Sequence, residues 1–159
     1  MKDFTISTKI RVYSLEDSNE ETKILINKAK EATQGAYAPY STYHVGAAAL
    51  LKNGEIVCGS NQENAAYPSG LCAERTALFY ANASQPEQAV DAIAIIAHHD
   101  GDFVKDVCTP CGSCRQVIAE VESRYDNPIR IIMCSRDTVY EVGSIKDLLP
   151  LSFDKSTLE

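Results

Sequence analysis

The chain has 159 residues, 45% of them hydrophobic and 23% charged, which suits one compact domain with a full core and excludes disordered, collagenous and coiled-coil architectures. Fifteen basic residues against 22 acidic ones leave a net charge of −7. There is no basic stripe of the kind that polynucleotide binding needs, because Lys23 to Lys30 is diluted by apolar residues and Glu31 and reads as a solvated helix face.

In chain order, Phe4, Ile6, Ile10 and Val12 alternate with mostly polar neighbours, so a short leading strand or extended arm is expected. Ser18 with Glu21 forms a capping-box pattern ahead of a helix that runs to about Gly35, with Ile24, Leu25, Ala29 and Ala32 as its buried face. Pro39 makes Ala36 to Ser41 a loop. Residues 43–51 and 55–59, joined across Asn53-Gly54, read as a β-hairpin. Pro68-Ser69-Gly70 interrupts an irregular stretch, and a helix follows from about Cys72 to Ala83. Val90 to Ala97 is a nearly continuous apolar run, the pattern of a strand covered on both faces.

Cys111 to Tyr125 is predicted helical, with Cys114, Val117, Ile118 and Val121 on one stripe. Strands are predicted at 129–134 and 138–142, and a short helix from Ser144 to Leu149, ended by Pro150. This order implies a mixed sheet with helices on both faces. No apolar run approaches the roughly 20 residues of a membrane span, and Met1 to Thr5 lacks the apolar stretch of a secretory signal. A soluble, cytoplasmic chain acting on small substrates is therefore expected, without nucleic-acid or membrane partners.

Six cysteines are present, and three cluster as Cys108-Thr109-Pro110-Cys111-Gly112-Ser113-Cys114. A chain with a full core and no secretion signal does not need three disulfides, so the cluster points to metal. Cys72 and Cys111 each begin a predicted helix, where free N–H groups and the helix dipole favour thiolate. Cys111 and Cys114, three apart, can face one way from a first helical turn. Three thiolates from two helix ends make an open zinc site with one position left for water. Glu74, two residues beyond Cys72, can stand beside the metal without coordinating it, and the two-part pattern is the known zinc-deaminase signature in its Cys₃ form.

Other readings remain open at this stage. Cys-x-x-Cys alone also suits a redox pair or half of a structural zinc site, and Cys108 could close a Cys₄ site. An iron–sulfur reading lacks its fourth cysteine. Cys58 and Cys134 lie in predicted strands and are assigned to the core. Three thiolates on a dication leave a net negative charge, which opposes ionisation of bound water unless something offsets it. Arg75 and Arg115, three and four residues beyond ligand cysteines, are the candidate compensating charges. His98-His99-Asp100 is read as solvent-facing loop rather than a second metal site, and His44 as a paired or surface residue.

The segments 36–41 (AYAPYS), 45–48 (VGAA), 61–67 (NQENAAY), 72–77 (CAERTA) and 110–117 (PCGSCRQV) resemble the small homotetrameric cytidine deaminases. The resemblance spans about residues 18 to 153. It implies a three-layer α/β/α fold around a mixed, mostly five-stranded sheet, forming a single deaminase domain over 1–159 with residues 1–17 as an extension.

It further implies hydrolysis of cytidine and 2′-deoxycytidine in pyrimidine salvage, one Zn²⁺ per subunit held by Cys72, Cys111 and Cys114, a zinc-bound hydroxide, and Glu74 as proton shuttle. Asn61 and Glu63 match positions that hold the ribose hydroxyls, and backbone groups around Ala73 and Cys111 would hold the base edge. Tyr43 stands where such enzymes usually carry Phe, leaving its hydroxyl unexplained. Phe153 matches a ring that stacks on a base bound by a neighbouring subunit of the tetramer. A deaminase acting on nucleotides is disfavoured by the acidic balance and by Glu63 beside the sugar.

Overall fold

A computed structural model of the protein describes residues 1–158. The elements are β1 (Arg11–Ser14), α1 (Glu20–Ala32), β2 (His44–Leu51), β3 (Ile56–Ser60), α2 (Ala73–Ser84), β4 (Val90–His99), β5 (Asp102–Phe103), α3 (Gly112–Tyr125), β6 (Arg130–Cys134) and β7 (Thr138–Val142). Among the described residues the strands form one sheet in the order β1-β7-β6-β4-β2-β3, with β5 hairpinned onto β4. The β4–β6 pair is parallel and the others antiparallel. The sheet is thus larger than the five strands expected, because β1 pairs β7 at one edge and the short β5 pairs the end of the inner strand β4.

Alternation along β4 sorts the core into two layers. Ile93 and Ile95 pack with Ala77 and Leu78 of α2 and Ile118 of α3, while Ala92, Ala94 and Ile96 pack with Leu25, Ile26 and Ala29 of α1. The three-layer α/β/α arrangement follows. Two glycines set the layer spacing. A Cβ on Gly46 would lie 2.0 Å from the Ala29 carbonyl oxygen, and one on Gly59 would lie 2.4 Å from Ala77 N and 2.6 Å from Ala73 O. The backbones of α1 and α2 therefore sit directly on the sheet.

Several local expectations shift. Asn19, not Ser18, caps α1 by accepting from Thr22 N at 2.8 Å. The buried face of α1 is Thr22, Leu25, Ile26 and Ala29, whereas Ile24 is exposed. β2 and β3 form the expected antiparallel hairpin, but in its turn only Gly54 takes positive φ (86°), and the connection spans four residues, 52–55. Cys134 is buried as expected, but Cys58 is exposed because β3 is an open edge strand. His98 and His99 end β4 instead of lying in a loop, and Asp100 and Gly101, at φ 51° and 85°, make the two-residue hairpin to β5.

Residues ahead of β1 carry no regular secondary structure, and Phe4, Ile6 and Ile10 are exposed. The leading strand is therefore limited to 11–14. It is anchored by the buried Glu141 carboxylate, which accepts from Tyr13 Oη at 2.6 Å and from Arg11 at 3.2 Å.

Candidate active site

The two cysteine segments converge because α2 and α3 lie on the same face of the sheet and start at the same end. Cys72 and Cys111 are the N-cap residues of these helices, both with extended backbone (φ −74° and −67°), and neither sulfur caps its own helix. The sulfurs of Cys72, Cys111 and Cys114 lie within 4.8 Å of one another, and Cys72 Sγ to Cys111 Sγ is 3.9 Å. Tetrahedral zinc with Zn–S near 2.3 Å needs sulfurs about 3.8 Å apart. The donor set therefore fits a zinc ion in both chemistry and span. Among the described residues, Cys108 is not part of this group.

The charges around the sulfurs are uneven. Hydrogen bonding from Cys114, followed by Arg75 and Cys111, draws the Cys72 thiol down to about 5 against the opposing cost of burial. Cys114 shifts upward, since its proton is the one shared with the Cys72 sulfur. Arg75 Nη2 reaches Cys72 Sγ at 3.5 Å and the Gly70 carbonyl at 3.5 Å. Arg115 is engaged elsewhere: Nε donates to Pro110 O at 2.9 Å and Nη1 to Leu148 O at 2.8 Å. It ties the C-terminal segment to the start of α3, and none of its hydrogen bonds goes to a sulfur. The i, i+4 spacing that made it a candidate compensating charge could not foresee the two carbonyls.

Glu74, in the first turn of α2, is 4% exposed. Burial raises its carboxyl above the ordinary range, and the nearby Cys72 charge adds to the effect. Glu74, Ala73 and Cys72 line a cleft of about 950 Å³ with Tyr43, Asn61 and Glu63. Asn61 bridges the start of β2, accepting from Val45 N at 2.8 Å and donating to Tyr43 O at 2.9 Å. Glu63 accepts from Tyr40 N at 2.9 Å and Ser41 N at 3.3 Å. The Tyr43 hydroxyl, unexplained by sequence, faces the half-buried Cys108 thiol, which desolvation pushes up to about 12. Phe153 does not enter this cleft; it is 59% exposed, and its carbonyl accepts from Gln116 Nε2 at 2.8 Å.

The family model of the cytidine and deoxycytidylate deaminase zinc-binding region matches residues 19–125. The chain belongs to this deaminase family. It is 41% identical over 126 residues to a cytidine deaminase of Halalkalibacterium halodurans, covering 79% of this chain and 82% of that one. A cytidine deaminase of Sporosarcina psychrophila is 40% identical over 134 residues, covering 84% and 92%. Among solved structures, the cytidine deaminase of Burkholderia pseudomallei superposes with a TM-score of 0.67 at 37% identity, covering 82% of this chain and 98% of that one. That of Mycobacterium tuberculosis gives 0.66 at 31% identity, covering 86% and 99%. The deaminase fold and the zinc-binding region thus coincide with the converging helix ends. No helix among the described residues is long and apolar enough to cross a membrane.

Proposed function

We propose that the protein hydrolyses cytidine and 2′-deoxycytidine to the corresponding uridines and ammonia. The observation that carries this reading is three sulfurs gathered at two helix N-termini with one buried carboxylate beside them and a nucleoside-sized cleft in front. Zinc, when bound by Cys72, Cys111 and Cys114, supplies a Lewis acid that brings the pKa of water towards neutrality. Glu74 holds the proton released as water adds at C4 of the base, and delivers protons to N3 and to the departing amine. Its burial suits this role, since desolvation favours the protonated carboxyl and so eases proton uptake before delivery. Asn61 and Glu63 bind the ribose hydroxyls through the valences left free by their backbone contacts. Tyr43 forms the wall against the base, and backbone groups at Ala73 and Cys111 hold its polar edge. Arg75 offsets the sulfur charge.

The remaining readings extend this one. We take residues 1–159 as a single deaminase domain with 1–17 as an extension. The active form is a homotetramer in which Phe153 reaches a neighbour's cleft; its exposure, with that of Phe79, Tyr80 and Leu151, supports assembly. Six free thiols favour a reducing, cytoplasmic compartment and a role in pyrimidine salvage.

The test is zinc content together with ultraviolet-monitored turnover of cytidine and CMP on one purified sample. Stoichiometric zinc with cytidine turnover well above that of CMP is expected; preference for CMP would reassign the substrate. Cys108→Ser should retain the metal, and metal loss in that variant would favour a closed four-sulfur structural site.

A further inference from the structure

His99 belongs to none of the segments that carry the family likeness, yet the fold delivers it against Tyr43, a residue that lines the cleft. As the last residue of β4, it follows the alternation that places Ile93 and Ile95 on the α2–α3 face, while His98 goes to the α1 face beside Lys30 and Phe103. The Asp100-Gly101 hairpin fixes this strand end. The His99 ring packs on Tyr43, with centroids 5.6 Å apart and planes inclined by 49°. His99 Nδ1 lies 3.0 Å from the Thr42 carbonyl oxygen and 3.5 Å from Thr42 Oγ1. Because a carbonyl only accepts, the ring proton must sit on Nδ1. Asp100 Oδ2, 3.4 Å from Nε2, faces the other side of the ring.

The residue so held is strained. Thr42 has φ 55°, a left-handed conformation that a β-branched side chain resists. It closes a turn in which Thr42 N donates to Ala38 O at 3.0 Å and Tyr43 N donates to Ser41 Oγ at 3.0 Å. The direction in which the Tyr43 ring enters the cleft depends on that turn. The free energy that keeps Thr42 left-handed has to come from its surroundings, and His99 contacts both its carbonyl and the ring that follows.

We infer that His99 is a positioning residue for nucleoside binding: it latches the strained Thr42 turn and so aims Tyr43 at the base. This rests on the nucleoside reading of the cleft. The test uses the zinc-loaded protein and the variants His99→Ala, His99→Asn and the double variant His99→Ala with Thr42→Gly. His99→Ala should raise KM for cytidine about tenfold, the population cost of letting a left-handed threonine relax. Its kcat should change less than about threefold, because Glu74 and the sulfurs are untouched.

His99→Asn keeps an N–H near the position of Nδ1 and should recover most of the loss. Glycine accepts positive φ freely, so Thr42→Gly in the His99→Ala background should bring KM back towards wild type. A merely structural histidine would lower thermal stability without this KM-specific loss and without rescue by glycine. Unchanged KM in His99→Ala, or no recovery in the double variant, overturns the proposal.

Hydrogen exchange gives a readout independent of turnover. The amides of residues 40–43 should exchange faster in His99→Ala and return towards wild type in the double variant, and unchanged exchange also overturns the latch. Were the wild-type protein to lack cytidine turnover, the function reading would fall on that measurement, and the latch would be judged on exchange alone.

Discussion

Two glutamates are buried on the α2–α3 side of the sheet, and they are treated differently. Glu122, 8% exposed near the end of α3, accepts from Ile129 N at 2.8 Å, Ile145 N at 2.9 Å and Ser144 Oγ at 2.9 Å. Its oxygens are satisfied by three donors, and it pins α3 to the entry of β6 and to the turn after β7. Glu74, 4% exposed at the start of α2, is met among the described residues only by its own amide and the Cys114 thiol, and burial raises its carboxyl against them. A buried carboxylate surrounded by N–H groups is a structural joint, whereas one left short of donors beside three sulfurs is available for proton transfer.

The comparison can be broken at either end. Removal of zinc by a chelator should abolish turnover and zinc addition should restore it, while amide exchange around Glu122 stays slow. Glu74→Gln, which keeps the shape, should retain zinc and lower kcat by roughly 10³-fold, with a melting temperature no lower than wild type. Substantial residual turnover in that variant would remove Glu74 from the chemistry. Glu122→Ala should show the reverse. Stranding two buried N–H groups costs about 3 kcal/mol, read as a melting temperature lower by roughly 10 °C, with kcat near wild type in protein that remains folded.

The smallest expected effect concerns a third buried titratable group, on the α1 face. Burial pushes the Cys134 thiol from its usual 9.0 up to about 12. Below pH 9 it is protonated in both folded and unfolded chains. Between pH 9 and about 12 the unfolded chain ionises first, so stability present below pH 9 is lost as pH rises. Cys134→Ala should flatten that decline in a melting-temperature series, and an unchanged slope would assign it to other groups.

The core and the ligand segments were legible from sequence because their signals are local. The VDAIAIIA run has the composition and length expected of a strand covered on both faces, and Cys72-Ala73-Glu74 with Pro110-Cys111-Gly112-Ser113-Cys114 carries its spacing within single helical turns. What sequence missed depended on competition or distance. Ser18 and Asn19 are both good N-caps, and only the chain path decides that Asn19 takes Thr22 N. Cys58 follows strand alternation, but its outer neighbour is absent because β3 ends the sheet. Arg115 found carbonyls at Pro110 and Leu148, the latter 33 residues away. Glu122 and His99 act through partners far along the chain, and the only local signal for His99 was the Asp100-Gly101 turn that holds its strand end.

Gly59 has a consequence at the other end of α2's first turn. The atoms its missing side chain would strike are the amide nitrogen of Ala77 and the carbonyl oxygen of Ala73, the latter the residue between the first ligand cysteine and the acid. Any larger residue there would jack up the helix start from beneath, spreading Cys72 from the cysteines of α3. Metal affinity is thus vulnerable to a methyl group on the sheet's far strand, at a position that touches neither ion nor nucleoside.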